Sequence, residues 1–256
     1  MKITNNFGLP EAFRRAVEND GYNKGEADFS ITELIAPARQ RALQKRYDSQ
    51  LEEDCSSKAF SLFGQSVHHV LERAARPGVD LAEKRFFAPF EVDDEIYTLS
   101  GQIDLLSDYK SKAALSDWKT TKLYPFTKKG GLGQKPEWIA QLNMQLELLR
   151  INGLDANSLW IVGILRDWGP KNKAEVPREV ATVSIPIWPR EKTQAFIIER
   201  MRAHLNAIKV LPECSKAEVW GGRRCLDYCN VSAWCAQYQQ SKQTGLIGGK
   251  DENTKA

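Results

Sequence analysis

Residues 101–122 read GQIDLLSDYKSKAALSDWKTTK, and they are the centre from which the rest of the chain is interpreted. Two short apolar runs, 102–106 and 113–115, flank the polar segment 107–112, which predicts a β-hairpin. Asp104 lies on the first predicted strand, and Asp117 and Lys119 lie at the end of the second. Side chains alternate along a strand, so Asp117 and Lys119 share a face, and strand pairing brings Asp104 near Asp117. We therefore expect two carboxylates and an amine to converge on one patch.

This patch is chemically suited to hydrolysis of a phosphodiester. Two neighbouring carboxylates repel each other unless a cation lies between them, and oxygen ligands favour Mg²⁺ or Mn²⁺. Such a cation activates water and neutralises charge on a phosphate, while a lysine stabilises further negative charge. An isolated D-x-K triplet is short and frequent, and it is more often a surface acid beside a surface lysine. The interpretation therefore depends on the companion residues.

The composition indicates an ordinary globular protein with one large domain or two small ones. The chain has 256 residues, of which 42% are hydrophobic and 27% charged, and its net charge of +3 does not by itself indicate a polyanionic partner. The amino terminus, MKITNNFGLPEAFRR, lacks an apolar signal-peptide core. No apolar run approaches the ~20 residues that span a bilayer. We expect no membrane association and a cytoplasmic location.

Two predicted helices carry further polar candidates. Residues 56–76 have helical periodicity and contain His68 in the pattern G-x-x-x-H-x-x-x-E; the predicted apolar side consists of Phe60, Phe63, Val67, Val70 and Leu71. A lone helix histidine is more often structural than a ligand. Residues 137–152 form the second helix, on which Gln141 and Gln145 share a face.

The remaining segments predict strands over 82–100, with a turn near residues 93–94, and over 158–166 and 180–187. A long helix is predicted over 189–210. Upstream, Arg39 and Arg41 belong to a basic run that either contacts a phosphate backbone or forms a solvated helix face. The polar, glycine-bearing segment from residue 239 onward predicts a disordered tail.

Four cysteines are concentrated near the carboxyl end in the spacing C-x10-C-x3-C-x5-C: Cys214, Cys225, Cys229 and Cys235. Thiols stay reduced inside cells, so this cluster indicates a site for Zn²⁺ or an iron–sulfur cluster rather than disulfides. The alternative is that the cysteines are free and pack in a small core. Cys55 stands far upstream and is expected to pack.

The order of these features resembles the PD-(D/E)XK nuclease superfamily. It runs from His68 through GQID ending at Asp104, DWK at 117–119 and Gln141 to the cysteines, over roughly residues 30–238. The closer likeness is to the RecB-type branch, which includes CRISPR-associated adaptation nucleases and phage exonucleases. The resemblance implies an α/β, restriction-endonuclease-like core with a central mixed sheet flanked by helices. We expect a nuclease domain over 1–210, with a helical amino-terminal part, a cysteine-cluster module over 211–238 packed on it, and the tail over 239–256.

The resemblance also implies roles for individual residues. Asp104, Asp117 and Lys119 would be catalytic, and the ligands of Mg²⁺ or Mn²⁺ would be His68, Asp104, Asp117 and the backbone carbonyl of Trp118. Contacts to DNA would come from Gln141, Gln145, Lys122, Arg223 and Arg224. Gln145 stands where the family's Q-x-x-x-Y motif has tyrosine. The four cysteines would hold a [4Fe–4S] cluster, with Zn²⁺ as the alternative and Cys55 as the other candidate for the fourth ligand.

The function implied by this resemblance is a metal-dependent DNA exonuclease in recombination, repair or phage DNA metabolism. It would act in the cytoplasm of a bacterial or phage-infected cell, and a recombination or single-strand-annealing protein is a compatible partner. Three alternatives stay open: an endonuclease, a catalytically silent nucleic-acid-binding protein of the same fold, and a zinc-dependent nucleic-acid module whose acids are incidental.

Overall fold

The computed structural model describes residues 1–19 and 24–244. The strands are β1 (Lys2–Thr4), β2 (Phe29–Ser30), β3 (Glu52–Asp54), β4 (Leu81–Val92), β5 (Glu95–Ser107), β6 (Ala114–Thr121), β7 (Ser158–Leu165) and β8 (Val180–Ile185). The helices are α1 (Glu11–Glu18), α2 (Ile31–Ile35), α3 (Ala38–Arg46), α4 (Ala59–Glu72), α5 (Pro136–Ile151), α6 (Arg190–Asn206), α7 (Lys216–Val219), α8 (Arg223–Asp227) and α9 (Ala236–Gln243).

A six-stranded mixed sheet forms the centre of the molecule. Its order is β2-β5-β6-β7-β8, and β4 also pairs with β5, along nearly the whole length of that strand. The β6–β7 and β2–β5 pairs are parallel, and the other pairs are antiparallel. Helices flank this sheet, so the predicted mixed α/β class is confirmed. Asp93 and Asp94 both have positive φ, 52° and 66°, which is the backbone geometry of a two-residue turn that joins twisted strands such as β4 and β5.

The hairpin predicted from residues 101–122 is present. Leu105, Leu106 and Ser107 of β5 pair with Ser116, Leu115 and Ala114 of β6. The predicted helices and strands at 56–76, 137–152, 158–166, 180–187 and 189–210 also occur, and each is shorter than or equal to its predicted length. Propensity and periodicity were sufficient here because these segments are long and uninterrupted.

Helix α5 provides the core on one side of the sheet. Leu142, Leu146 and Leu149 are buried as their spacing predicts, at 0%, 1% and 0% exposure. Helix α6 packs on α5 and adds Ile197 and Met201 to the same hydrophobic core. The position of α5 is therefore fixed along most of its length, which in turn fixes the side chains it directs at the sheet.

The apolar side predicted for α4 is not the side of the helix that faces the protein. Phe60, Phe63 and Val70 are 66%, 45% and 63% exposed, and α4 has no buried residue. The helix instead approaches the sheet with Gly64, where a Cβ atom would lie 3.1 Å from Thr120 Oγ1. His68 follows Gly64 by one helical turn and shares this face. The sheet-facing side is therefore the one with a small and a polar residue.

Neither interpretation of the basic run, a phosphate contact or a solvated helix face, applies to Arg39. Arg39 is only 8% exposed and donates to Cys235 Sγ, and Arg41 is paired with Glu33. The reason is that α3 is covered by the carboxy-terminal segment, with which it shares a second hydrophobic cluster built on Leu43 and Val231. This packing attaches the cysteine-containing segment to the rest of the protein.

Three further sequence expectations concern the carboxy-terminal tail, Cys55 and membrane-spanning helices. Residues 239–243 belong to α9, so disorder beginning at residue 239 is wrong, and residues 245–256 lie outside the described part of the chain. Cys55 is fully buried, with Sγ 3.6 Å from Asn5 Oδ1, as expected for a packing residue. Within the described residues, no helix is both long and apolar enough to span a bilayer.

Candidate functional site

Three acids lie in a row across β4, β5 and β6. The strand registers place Glu83 opposite Asp104 and Asp104 opposite Asp117. The backbones of neither pair are hydrogen-bonded: the β4–β5 ladder skips Glu83 and Asp104, and the β5–β6 ladder ends one residue before Asp104 and Asp117. Carboxylates directly opposite each other on neighbouring strands destabilise a sheet. Glu83 also has a φ of 46°, in the left-handed region that a side chain rarely adopts. Strain of this kind, concentrated where like charges meet, is typical of functional sites.

A possible metal site is formed by His68, Glu83 and Asp104. His68 Nδ1 lies 2.8 Å from Glu83 Oε1 and 3.8 Å from Asp104 Oδ2. One ligand atom from each residue lies within 4.8 Å of the other two. Asp104 Oδ2 also accepts a hydrogen bond from the backbone N–H of Trp118 at 2.6 Å, which fixes the carboxylate. This set of one nitrogen and several oxygen donors fits Mg²⁺ or Mn²⁺.

Beside this group, a second network joins β6 to α5. Lys119 Nζ lies 2.6 Å from Asp117 Oδ2 and donates to Gln141 Oε1 at 3.1 Å. Gln141 Nε2 in turn donates to Asp117 Oδ1 at 2.6 Å. Asp117 is 1% exposed, whereas the Lys119 side chain is 23% exposed. The ammonium group is therefore held in a fixed position while still reaching solvent.

The electrostatics of the site favour binding of positive charge. Burial, and then the negative charge of Asp117, raise the pKa of Asp104 to about 8, against a usual 3.8. The hydrogen bond to Glu83 raises the pKa of His68 above its usual value. Both shifts mean that Asp104 and His68 retain protons near neutral pH when no metal is bound. A divalent cation would replace them, because ligands must be deprotonated to coordinate.

Glu83 is the residue that motif reasoning missed. It belongs to no recognised spacing, and its Oε2 accepts a hydrogen bond from Gln102 Nε2 at 2.6 Å. The signal was nevertheless present in the sequence. Counting outward from the turn at residues 93–94 in an antiparallel hairpin places Glu83 opposite Asp104.

The polar candidates for DNA contact have different surroundings. Gln141 belongs to the network with Asp117, and Lys122 is exposed directly after β6. Gln145 is 2% exposed and donates to the carbonyl of Gln102 at 2.7 Å, so its predicted contact with DNA is contradicted. The physical reason is that Gln145 lies on the sheet-facing side of α5.

The two arginines predicted to contact DNA lie in the carboxy-terminal segment. Arg223 is exposed, and its Nη2 lies 3.4 Å from the Tyr228 hydroxyl. Arg224 is half-buried, donates to Glu137 Oε1 at 3.2 Å, and stacks on the ring of Trp220 at 3.9 Å. Both side chains therefore belong to a mixed aromatic and cationic surface.

The four clustered cysteines line one cavity of about 70 Å³, and Arg39 forms part of its wall. That volume is several times the roughly 10–15 Å³ that a cavity needs to hold one water molecule. Burial raises the pKa of Cys214 to about 12 and also raises the pKa values of Cys225 and Cys229. A single tetrahedral Zn²⁺, with Zn–S bonds of about 2.3 Å, would need sulfurs about 3.8 Å apart. Among the described residues the cysteines do not form a group that compact.

Comparison with known proteins supports the motif-based prediction. A family model described as the PD-(D/E)XK nuclease superfamily matches residues 30–236. Among solved structures, the crystal structure of SSO0001 is similar to this chain with a TM-score of 0.60 and 17% identity, over 88% of this chain and 93% of that chain. At that identity the similarity concerns the fold. No curated protein matches. Because the family model covers most of the chain, this protein belongs to the PD-(D/E)XK nuclease superfamily.

Proposed function

We propose that this protein is a Mg²⁺- or Mn²⁺-dependent DNA exonuclease. The observation that carries the proposal is the juxtaposition of two groups: the metal-ligand set around Asp104 and the Lys119–Asp117–Gln141 network. A silent binding protein would have no need for a buried acid with a raised pKa next to a positioned lysine. That combination supports catalysis over binding alone.

In this proposal the metal ligands are His68, Asp104, Asp117 and the carbonyl of Trp118, and Glu83 joins them. A divalent cation held there supplies Lewis-acid chemistry, lowering the pKa of water and neutralising charge on the scissile phosphate. Lys119 orients the attacking water and stabilises the additional negative charge of the transition state. Gln141 keeps the lysine in place through its hydrogen bonds to Lys119 and Asp117.

The burial of the acids supports cutting at ends rather than within a duplex. Asp117 is 1% exposed and Asp104 9% exposed, and α4 contacts β6 and β5 above them. A strand end can enter such a recess more easily than a continuous duplex can lie across it. Together with the RecB-type resemblance, this favours a role in recombination, repair or phage DNA metabolism. A single-strand-annealing protein is the partner class that would use the product.

We also propose that the cysteines hold a [4Fe–4S] cluster and that residues 211–238 form a module on the nuclease domain, residues 1–210. The observation that supports this proposal is that the four cysteines line one cavity. Protein purified without oxygen is expected to be brown and to contain iron and acid-labile sulfide. Stoichiometric zinc without visible absorbance would replace the iron assignment.

The nuclease assay uses end-labelled linear DNA and closed circular DNA, each single- and double-stranded. Reactions contain Mn²⁺, Mg²⁺ or EDTA, with Asp117→Ala in parallel. Metal-dependent loss of linear DNA alone, abolished by the substitution, is expected, and the label reports polarity. Cutting of circles would reassign the protein as an endonuclease. The absence of cutting by cluster-containing protein with either metal would contradict enzymatic function and favour the silent binding protein.

A further inference from the structure

A groove of about 390 Å³ lies between the start of α5, helix α2 and the segment around α8. Its walls combine aromatic and cationic side chains: Trp138, Trp220, Tyr228, Lys135 and Arg224. Gln141 also lines the groove. Since Gln141 bonds Asp117 and Lys119, the groove is continuous with the proposed catalytic site.

Two large aromatic side chains of this groove are presented to solvent. Trp220 is 43% exposed and Tyr228 55% exposed, with ring centroids 5.7 Å apart at an angle of 69°. The Trp220 backbone has a φ of 51°, which is strained for a bulky residue. Its indole N–H donates to Glu137 Oε1 at 2.7 Å. The ring is thus held at the surface by a strained backbone and a specific hydrogen bond, which is the arrangement expected of a binding residue.

Positive charge accompanies these rings. Lys135 Nζ lies 4.7 Å from the centre of the Trp138 ring, and Arg224 stacks on Trp220 at 3.9 Å. Arg223 extends the charge beyond the groove, 5.8 Å from the Tyr228 ring. Glu137 Oε1 accepts hydrogen bonds from the indole N–H of Trp220 and from Arg224. Alternating cations and exposed aromatics form the surface that single-stranded nucleic acid recognises, through its phosphates and its unstacked bases.

We propose that this groove binds single-stranded DNA next to the cleavage site, with Trp220 and Tyr228 stacking on unpaired bases. The proposal rests on the nuclease function proposed above for its link to catalysis, and it adds the strand state of the substrate. A duplex is not expected to bind the groove in this way, because its paired bases are stacked on each other and their faces are not accessible to a side chain. The strand that occupies the groove would pass Gln141 to reach Lys119.

The test measures binding in EDTA, where cutting does not occur, using a fluorescein-labelled oligothymidylate and a labelled duplex of equal length. A base that stacks on an aromatic side chain strengthens binding. Trp220→Ala should therefore weaken oligothymidylate binding by roughly 5- to 150-fold. Tyr228→Ala should fall in the same range, and Trp220→Phe should retain most of the affinity. Arg223→Ala should lower the dependence of log affinity on log salt by about one unit.

Phe87→Ala is the matched control, since Phe87 is an aromatic residue of similar exposure, 41%, near the carboxyl end of α5. Iron content and visible absorbance of each variant show that the cysteine module is intact. Unchanged affinity in Trp220→Ala and Tyr228→Ala, or equal loss for duplex and single strand, would overturn the groove proposal. Groove-dependent binding by a wild-type protein that never cuts would support the groove while removing the proposed nuclease function.

Discussion

At the scale of single residues, Asp104 gives the site its strongest dependence on pH. Its pKa of about 8 in the folded protein exceeds its usual 3.8, so the native state holds a proton that the unfolded chain releases. The contribution of Asp104 to the unfolding free energy of the metal-free protein should therefore be largest below about pH 4. It should fall as pH rises to about 8. Asp104→Asn should flatten this dependence and be more stable than the parent at pH 8. Urea unfolding in EDTA across that range measures it, and parallel pH profiles for the two proteins would contradict it.

The proton that Asp104 retains should also make metal binding depend on pH. Coordination requires Asp104 to lose its proton, so Mn²⁺ affinity should rise with pH up to about 8. Binding at neutral pH should release protons. Calorimetry in buffers of different ionisation enthalpy measures that release directly. Glu83→Gln is expected to weaken Mn²⁺ binding as well, since Glu83 belongs to the same ligand group.

Lys119 is the residue whose charge most directly concerns chemistry. Lys119→Met keeps a chain of similar length but removes the ammonium held by Asp117 and Gln141. Loss of one positioned electrostatic donor typically lowers the catalytic rate by about 10²- to 10³-fold, and we expect that loss here. DNA binding in EDTA should be retained. Lys112→Met, in the turn of the same hairpin, is the control; equal activity of the two variants would remove Lys119 from the mechanism.

Some site residues could be predicted from the sequence and others could not. Asp104, Asp117 and Lys119 were predictable because hairpin pairing and strand alternation are local rules. Glu83 required the register of a second hairpin, and the burial of Gln145 required knowing which side of α5 faces the sheet. Polar residues at helical spacing do not reveal that orientation when the helix is covered on nearly all sides.

At the scale of elements, α3 is the platform for the cysteine segment, and Arg39 is its central contact. Arg39 Nε lies 3.2 Å from Cys235 Sγ, and Nη1 donates to the carbonyl of Pro212 at 3.1 Å. Hydrogen bonds to the sulfurs tune the potential of an iron–sulfur cluster. Arg39→Met should therefore shift the reduction potential of the proposed cluster to a more negative value. It should also cost about 1–3 kcal/mol of stability, because buried acceptors lose their donor.

Redox titration and thermal unfolding of the purified protein test this expectation for Arg39. Arg41→Met on the same helix is the control, since Arg41 forms a partly exposed ion pair with Glu33 that should contribute about 0–1 kcal/mol. An unchanged potential in Arg39→Met would show that the guanidinium has only a structural role.

Helix α4 illustrates the limit of periodicity at this scale. Its apolar stripe predicted a helix correctly but assigned the wrong buried face, because a small and a polar residue, Gly64 and His68, face the sheet. A helix that supplies a proposed metal ligand directs a polar residue inward, so its apolar pattern no longer indicates which side of the helix is buried. Arg39 looked like a surface residue for a different reason: the segment that covers α3 is distant in the sequence, so no local pattern reveals the contact.

At the scale of the whole molecule, two proposed metal centres are held by different parts of the fold. The ligand set around Asp104 rests on the central sheet and α4, whereas the cysteines rest on α3 and the segment that follows α6. The groove joins them, since Gln141 belongs to the first region and Trp220 to the second. Loss of the cluster should therefore affect DNA binding more than metal binding.

Cys225→Ser separates these two contributions. A segment with so small a core depends on its metal for order, so residues 214–238 should lose protection from hydrogen exchange while β5 and β6 keep theirs. Oligothymidylate affinity should fall at least as far as in Trp220→Ala, because both Trp220 and Tyr228 lose their positions. Mn²⁺ affinity, measured calorimetrically, should stay within about twofold, since additivity holds for sites without shared partners. Parallel loss of both affinities would mean that the cysteine module and the catalytic site fold as a single cooperative unit.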